Sequence, residues 1–293
     1  MRDPDHPILS ELRLRDGRQL AWASYGDPDG RPVFYLHGSP ATRLLHPSGA
    51  VAARHGVHLI AASRPGYGRS DFQPGRRVLD WPEDLSQLAD QIGAERFAVV
   101  GASGGAPYVA ACAYALPERV QVAAMVSSFG PVDAPGAMDD LPWERKLGVI
   151  LGRHAPWANR ALMATLRNPS RDTEAFARRY STHSCPSDKA MLADPTFGGM
   201  MKASYAASCE RGVRGFAHDI TALVGDWGFR LEDIRVPVHL WHAREDLGTP
   251  LPMAQAMAAA IPGCRTRWLD GGSHFVIFTH WEELLEAILA PGA

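Results

Sequence analysis

Short apolar runs and amphipathic stretches alternate along most of the chain. The segment ELRLRDGRQLAWASYGD holds two alternating runs joined by Asp16-Gly17. It predicts an antiparallel hairpin, because Asp-Gly suits the left-handed positions of a tight turn. PVFYLHG is a continuous apolar run, read as a strand, and a helical stretch follows from about Ala41 to His55. VHLIAASR is a further strand, ended by the turn-rich PGYGRS. A helix is predicted from about Trp81 to Ile92, then the strand RFAVVGAS, a helix through Tyr114 and the strand VQVAAMVSSF. From about 131 to 234 the alternation stops. That stretch holds helical patterns, such as WERKLGVILGRH and TEAFARRYS, and no convincing strand. Alternation resumes with the strand VPVHLWHA, the helix PMAQAMAAAI, the strand TRWLDG and a last helix. In that helix Trp281, Leu284, Leu285, Ile288 and Leu289 share one face, and Thr279 with Glu282 has the pattern of a capping box.

Continuous apolar strands separated by helices predict an α/β chain, with a mostly parallel sheet covered on both faces and the hairpin at one edge. The helical stretch leaves from the C-terminal end of a strand, where open α/β sheets carry their functional loops. It is therefore expected to lie over that end as a lid. The division expected is a core domain of residues 1–130 and 235–293, with a helical cap of residues 131–234 inserted between strands 6 and 7.

Composition narrows the classes. The 293 residues are enough for one large α/β domain or a core with an insertion. Apolar residues at 46% and charged residues at 21% suit a filled core. A net charge of −2 with no lysine or arginine run offers nothing to a nucleic-acid backbone, so the expected partner is a small-molecule substrate. No apolar stretch approaches the roughly 18–20 residues that cross a bilayer, and MRDPDHPILS has no signal-peptide core, so no membrane association is expected. Cys112, Cys185, Cys209 and Cys264 lie far apart without a CxxC pair. They read as free thiols of a cytoplasmic protein, with two disulfides left open. His183 and His218 lack metal-ligand spacing, and no metal is expected.

The stretch VVGASGGAPY, residues 99–108, has three readings. A dinucleotide-binding turn needs glycine where Ser103 stands, and a P-loop needs a Gly-Lys-Ser/Thr ending that GGAPY lacks. The third reading is a nucleophile elbow, G-x-S-x-G between strand and helix, and Gly101-Ala102-Ser103-Gly104-Gly105 is the only such match in the chain. A serine lifted clear of the sheet on a strained turn needs neighbours nearly free of side chain. Its hydroxyl also needs a base, and the base needs an orienting carboxylate, in the chain order Ser, acid, His. LWHAREDLGTP supplies Asp246 in the loop after a strand, and WLDGGSHF supplies His274 after the last strand, with Gly271 and Gly272 freeing the loop to aim it. Glu245 reads as a solvated neighbour of Asp246, and Asp133 is the alternative acid. Two backbone donors are expected for an oxyanion, the N–H of Gly104 and that of Ser39 in HGSP, since Pro40 has none.

In their order, YLHGSP, SRPGYGRSD, VVGASGGAPY, LWHAREDLGTP and GGSHF resemble the successive motifs of the α/β-hydrolase superfamily. The resemblance covers nearly the whole chain. It implies the α/β-hydrolase fold with an eight-stranded sheet and a cap, a Ser-His-Asp triad of Ser103, His274 and Asp246, and no cofactor. The departures are Ala243, where many members have glycine, and Ala106, where the glycine run often continues; neither touches a catalytic group. The activity expected is that of a cofactor-independent serine hydrolase, acting on a small, largely apolar carboxylic ester through an acyl-enzyme. The same triad also serves C–C bond, lactone or amide hydrolysis and perhydrolysis, and a non-catalytic ligand receptor stands as the reading from another class. Serine at 103 argues against the dehalogenase and epoxide-hydrolase branches, which carry aspartate there. His37 is expected to anchor its loop, His239 and His242 to be structural, and Arg64, Tyr67 and Arg69 to stabilise a turn. Trp143, Trp157, Phe197, Met200, Met201, Tyr205 and Trp227 are expected mostly to pack the cap, with a few reaching the substrate.

Overall fold

Strand β3 (Arg31–Leu36) shows how the sheet is buried on both faces. Val33 and Tyr35 join one apolar cluster, while Phe34 and Leu36 join the cluster on the opposite side. This follows from the two-residue period of a strand. The computed structural model describes residues 3–166, 172–182, 184–271 and 273–290; His183 and Gly272 lie outside the described residues. The other strands are β1 (Ile8–Arg13), β2 (Gln19–Gly26), β4 (Val57–Ala62), β5 (Phe97–Ala102), β6 (Val120–Val126), β7 (Val238–Ala243) and β8 (Arg265–Leu269). They form one eight-stranded sheet in the order β1-β2-β4-β3-β5-β6-β7-β8. β2 pairs antiparallel with β1 and β4, and every other pairing is parallel.

Helices α1 (Gly49–Arg54), α2 (Trp81–Gln91) and α3 (Ala106–Ala115) connect the first six strands. Among the described residues six helices lie between β6 and β7: α4 (Trp143–His154), α5 (Pro156–Leu166), α6 (Thr173–Thr182), α7 (Pro186–Ala193), α8 (Pro195–Ser208) and α9 (Arg214–Val224). Helices α10 (Leu251–Ala260), α11 (Val276–Thr279) and α12 (Trp281–Leu289) follow β7 and β8. Leu85 and Leu88 of α2, Val109 of α3 and Met257 of α10 cover one face of the sheet. Trp281, Leu284, Leu285 and Ile288 of α12 and Ala52 of α1 cover the other. The apolar face predicted for the last helix is the buried one.

Two local expectations need correction. The helix expected from Ala41 to His55 is confined to α1, capped by Ser48, whose hydroxyl accepts from Val51 N. Upstream, Thr42 N and Arg43 N donate to Ser204 and Ser63 hydroxyls, so those backbone groups are committed to tertiary partners. Pro47 also disfavours helix in the residue before it. The capping box of Thr279 and Glu282 does not form. The α12 N-cap is His280 without a side-chain cap bond, Thr279 lies in α11 with its hydroxyl on Val276 O, and Glu282 pairs with Arg54 and His55. All four cysteines are free, and among the described residues no helix is long and apolar enough to cross a membrane.

The strand order reverses around β3. The chain moves from β3 to β4 on one side and returns to β5 on the other, which brings the loops after β3 and β5 together at a topological switch point. That is where the chemistry-bearing residues meet.

Candidate active site

Ser103 follows directly on β5 and takes a left-handed backbone, φ 55°. For a residue with a Cβ this is strained, and such strain persists only where the surroundings hold it. The neighbouring glycines make room. A Cβ on Gly105 would stand 2.2 Å from Leu36 O, and one on Gly101 would stand 2.7 Å from Val109. The turn therefore packs against β3 and α3 with no space for side chains, and Ser103 itself is half-buried.

His274 lies beyond β8, and its Nδ1 is 2.9 Å from both carboxylate oxygens of Asp246. Asp246 is buried in the loop between β7 and α10. Oδ1 of Asp246 accepts from Gly248 N at 2.7 Å and Thr249 N at 3.0 Å, and Oδ2 lies 2.9 Å from the Thr249 hydroxyl. Burial alone would raise the Asp246 pKa, but the His274 charge and hydrogen bond, with the loop N–H groups, hold it below the usual carboxylate range. Burial alone would lower the His274 pKa, but the adjacent Asp246 raises it above the ordinary 6.5. With Nδ1 donating to the carboxylate, Nε2 is the nitrogen free to take a proton. His242 packs under the same loop with its Nδ1 accepting from Ser128 N, so its Nε2 donates to Thr249 O.

Gly38, Ser39, Ser103, Gly104 and His274 line one cavity of about 240 Å3. Its other walls are chiefly apolar and include Leu45, Phe129, Val149, Met163, Ile220 and Phe278. Among the described residues no hydrogen bond joins the Ser103 hydroxyl to His274; such bonds often tighten only with substrate bound. A Cβ on Gly104 would stand 2.7 Å from Ser39 Oγ, so the two expected oxyanion donors are neighbours. Asp133 is elsewhere: its side chain is 72% exposed and paired with Arg153. Glu245 is exposed. His37 accepts from Arg64 N at Nε2, 3.1 Å, so its Nδ1 donates to Gly38 O, 2.7 Å. Arg69 pairs with Glu11 at the surface. Of the aromatic and methionine positions that the sequence singles out in the insertion, Met201 and Tyr205 reach the cavity, Phe197 and Met200 pack beside them, Trp227 packs in the core, and Trp143 and Trp157 are 68% and 78% exposed. Met163 and Phe216, not singled out, also line the cavity.

Two buried carboxylates beside the site are not singled out by the sequence pattern. Asp188 on α7 accepts from His274 N at 3.0 Å, and Asp219 on α9 sits beside Ser39 and Arg64. Asp219 left a trace in the pattern. In RGFAHDITALV it lies three residues from Phe216 and four from Leu223, on the apolar face of its helix. A lone carboxylate there signals a buried charge that needs a partner.

A strained serine after a central strand, a histidine–carboxylate pair, and their meeting at the strand C-ends define a hydrolase-type architecture. The chain belongs to the α/β-hydrolase fold family, whose model matches residues 31–280. A non-heme chloroperoxidase of Streptomyces lividans is 28% identical over 289 residues, covering 96% of this chain and 99% of its own. Among solved structures, the enol-lactonase from Burkholderia xenovorans has a TM-score of 0.72 at 17% identity, covering 96% of this chain and 98% of that one. The esterase from Exiguobacterium antarcticum has a TM-score of 0.70 at 17% identity, with the same coverage.

Proposed function

We propose that the protein is a serine hydrolase of small, largely apolar carboxylic esters, with Ser103, His274 and Asp246 as its triad. The observation that carries this reading is the 2.9 Å pairing of His274 with buried Asp246 on the cavity that Ser103 lines. Ser103 Oγ attacks the ester carbonyl while His274 Nε2 takes its proton. The tetrahedral oxyanion is held by the N–H groups of Gly104 and Ser39, each worth about 3–4 kcal/mol in comparable sites. His274 then protonates the leaving alkoxide, and a water activated by the same imidazole releases the acyl group. Residues 131–234 act as a cap over the core of residues 1–130 and 235–293. Apart from Arg145 and Glu144 the cavity walls are chiefly apolar, which favours an uncharged acyl or alkyl group over an ionic one.

The test combines two measurements: covalent labelling of Ser103 by a fluorophosphonate, and turnover of short p-nitrophenyl esters beside thioesters, lactones and amides, with Ser103→Ala as control. The expected result is stoichiometric labelling and fastest turnover of short esters. No labelling of the folded protein sinks the enzyme reading, and preference for another bond type sinks the ester assignment.

A further inference from the structure

A fully buried carboxylate that this reaction does not use stands behind the oxyanion loop. Asp219 projects from α9 into the core, and six donors converge on it. Its Oδ1 accepts from Tyr108 at 2.6 Å, Arg76 Nη2 at 2.8 Å and Arg64 Nε at 3.3 Å. Its Oδ2 accepts from Arg64 Nη2 at 2.9 Å, the Tyr67 hydroxyl at 3.0 Å and the Ser39 hydroxyl. Burial alone would raise its pKa, but the two guanidiniums hold it well below the usual carboxylate range. Arg64 then reaches on to the loop: Nη1 donates to His37 O, and Nη2 to Gly38 O at 3.1 Å and Ser39 Oγ at 2.8 Å.

The Gly38 carbonyl and the Ser39 N–H belong to one peptide unit. In a planar peptide the C=O and the N–H on either side of the C–N bond are fixed relative to each other, so holding the carbonyl orients the N–H. Arg64 and the His37 ring both bind Gly38 O, which turns the Ser39 N–H away from the cluster, and Ser39 lines the cavity. A cation on the carbonyl also polarises the peptide and strengthens its N–H as a donor. Two buried guanidiniums around one carboxylate leave a local charge of +1 behind that donor. A desolvated cluster of this kind is a poor source of stability, since apolar side chains of similar volume often do as well. Its geometry is better explained by what it orients.

We propose that Asp219 is a positioning residue for the oxyanion hole: carried by the inserted helices, it locks Arg64 so that the Gly38–Ser39 peptide presents its N–H to the substrate oxyanion. The proposal rests on the serine-hydrolase reading. It makes the insertion a working part of the reaction centre, beyond its place as a cover.

The experiment compares wild type, Asp219→Asn and Ser39→Ala in ester turnover and in inhibition by a trifluoromethyl ketone, which forms a hemiketal oxyanion on the nucleophile. Ser39→Ala keeps the backbone N–H and removes only its hydroxyl tether. Asp219→Asn is expected to lower kcat about 100-fold, and Ser39→Ala about tenfold, with KM within about threefold of wild type. Inhibition by the ketone should weaken by the same factors. If the folded variants bind the ketone and turn over ester within twofold of wild type, the positioning role is overturned. A drop in melting temperature alone overturns it too. Should Asp219→Asn fail to fold, Ser39→Ala decides the matter by the same limit. A wild type that is neither labelled at Ser103 by a fluorophosphonate nor inhibited by the ketone removes the underlying serine-hydrolase reading. An active wild type with unaffected variants removes only the positioning role.

Discussion

The two arms of the proposed site, acid–base and oxyanion, are held in place by different kinds of contact. The acid–base arm is tied mainly within its own loop: Asp246 accepts from residues two and three positions ahead, Gly248 and Thr249, before it meets His274. The oxyanion arm is tied across the molecule, with Ser39 bound to Asp219 from 180 positions away and Arg64 bridging the two. The first arm is a single charged partner pair; the second is a buried cluster with two cations and one anion. Contacts between near neighbours in sequence survive small shifts of the inserted helices. Contacts that cross from the insertion to the core depend on how those helices are seated. Asp188 and Arg145 also reach from those helices to His274 and to the Leu247–Gly248 backbone, but the oxyanion arm, whose central carboxylate itself lies on an inserted helix, should feel the insertion more strongly.

The strongest test removes the group both arms serve. Ser103→Ala should lower kcat by about a million-fold, as loss of a triad member does elsewhere, while the thermal melt stays near wild type. A residual rate above a hundredth of wild type would mean that neither arm is aimed at Ser103.

Next in size is Asp246→Asn, expected to cost about ten-thousand-fold in kcat. It also has a signature in pH. His274 must be neutral to accept the serine proton, and Asp246 raises its pKa against the lowering effect of burial. Activity should therefore fall with decreasing pH through a value above the ordinary 6.5. In Asp246→Asn, burial acts without that opposition, so the acid limb of the residual activity should move to lower pH. An unmoved limb would break this picture of the acid–base arm.

Asp188→Asn probes a contact from the inserted helices to that arm, the bond to His274 N. We expect a loss of about tenfold in kcat/KM. It should be clearly smaller than the loss from Asp219→Asn, because Asp246 still holds the imidazole through Nδ1 when Asp188 is changed. Equal losses would erase the difference between the arms.

Smallest is Asp133→Asn. Its partner Arg153 and its own carboxylate are both largely at the surface, so turnover and melting temperature should stay at wild-type values. A collapse of turnover would move the acid from Asp246 to Asp133.

Much of the frame was legible because it rests on local periodicity. The apolar runs that became β3 to β7 are short, continuous and bounded by turns, and the sheet they form is buried on both faces. The serine turn was legible because its glycines answer a steric need at one place in the chain. Asp246 and His274 could be named from chain order and position after strands, although the pairing itself joins residues 28 positions apart. The helix expected from Ala41 failed for the opposite reason. Residues 41–48 look helical taken alone, yet the N–H groups of Thr42 and Arg43 bind side chains brought from Ser204 and Ser63. Thr279 likewise had the spacing of a cap but spent its hydroxyl inside α11. Trp143 and Trp157 were expected to pack in the cap or reach the substrate, and both are exposed.

The sequence by itself determined the order of strands and helices, the turn that carries Ser103 and the residues that could serve as its acid and base. Each of these follows from spacing or from the steric demands of neighbours in the chain. Only the tertiary structure decided that Asp219 and Asp188 reach from the inserted helices to Ser39, Arg64 and His274. Burial gives those carboxylates their partners, and which charges are buried together depends on packing between elements far apart in sequence. A single carboxylate on an apolar helix face says that a partner must exist, and the fold says which one.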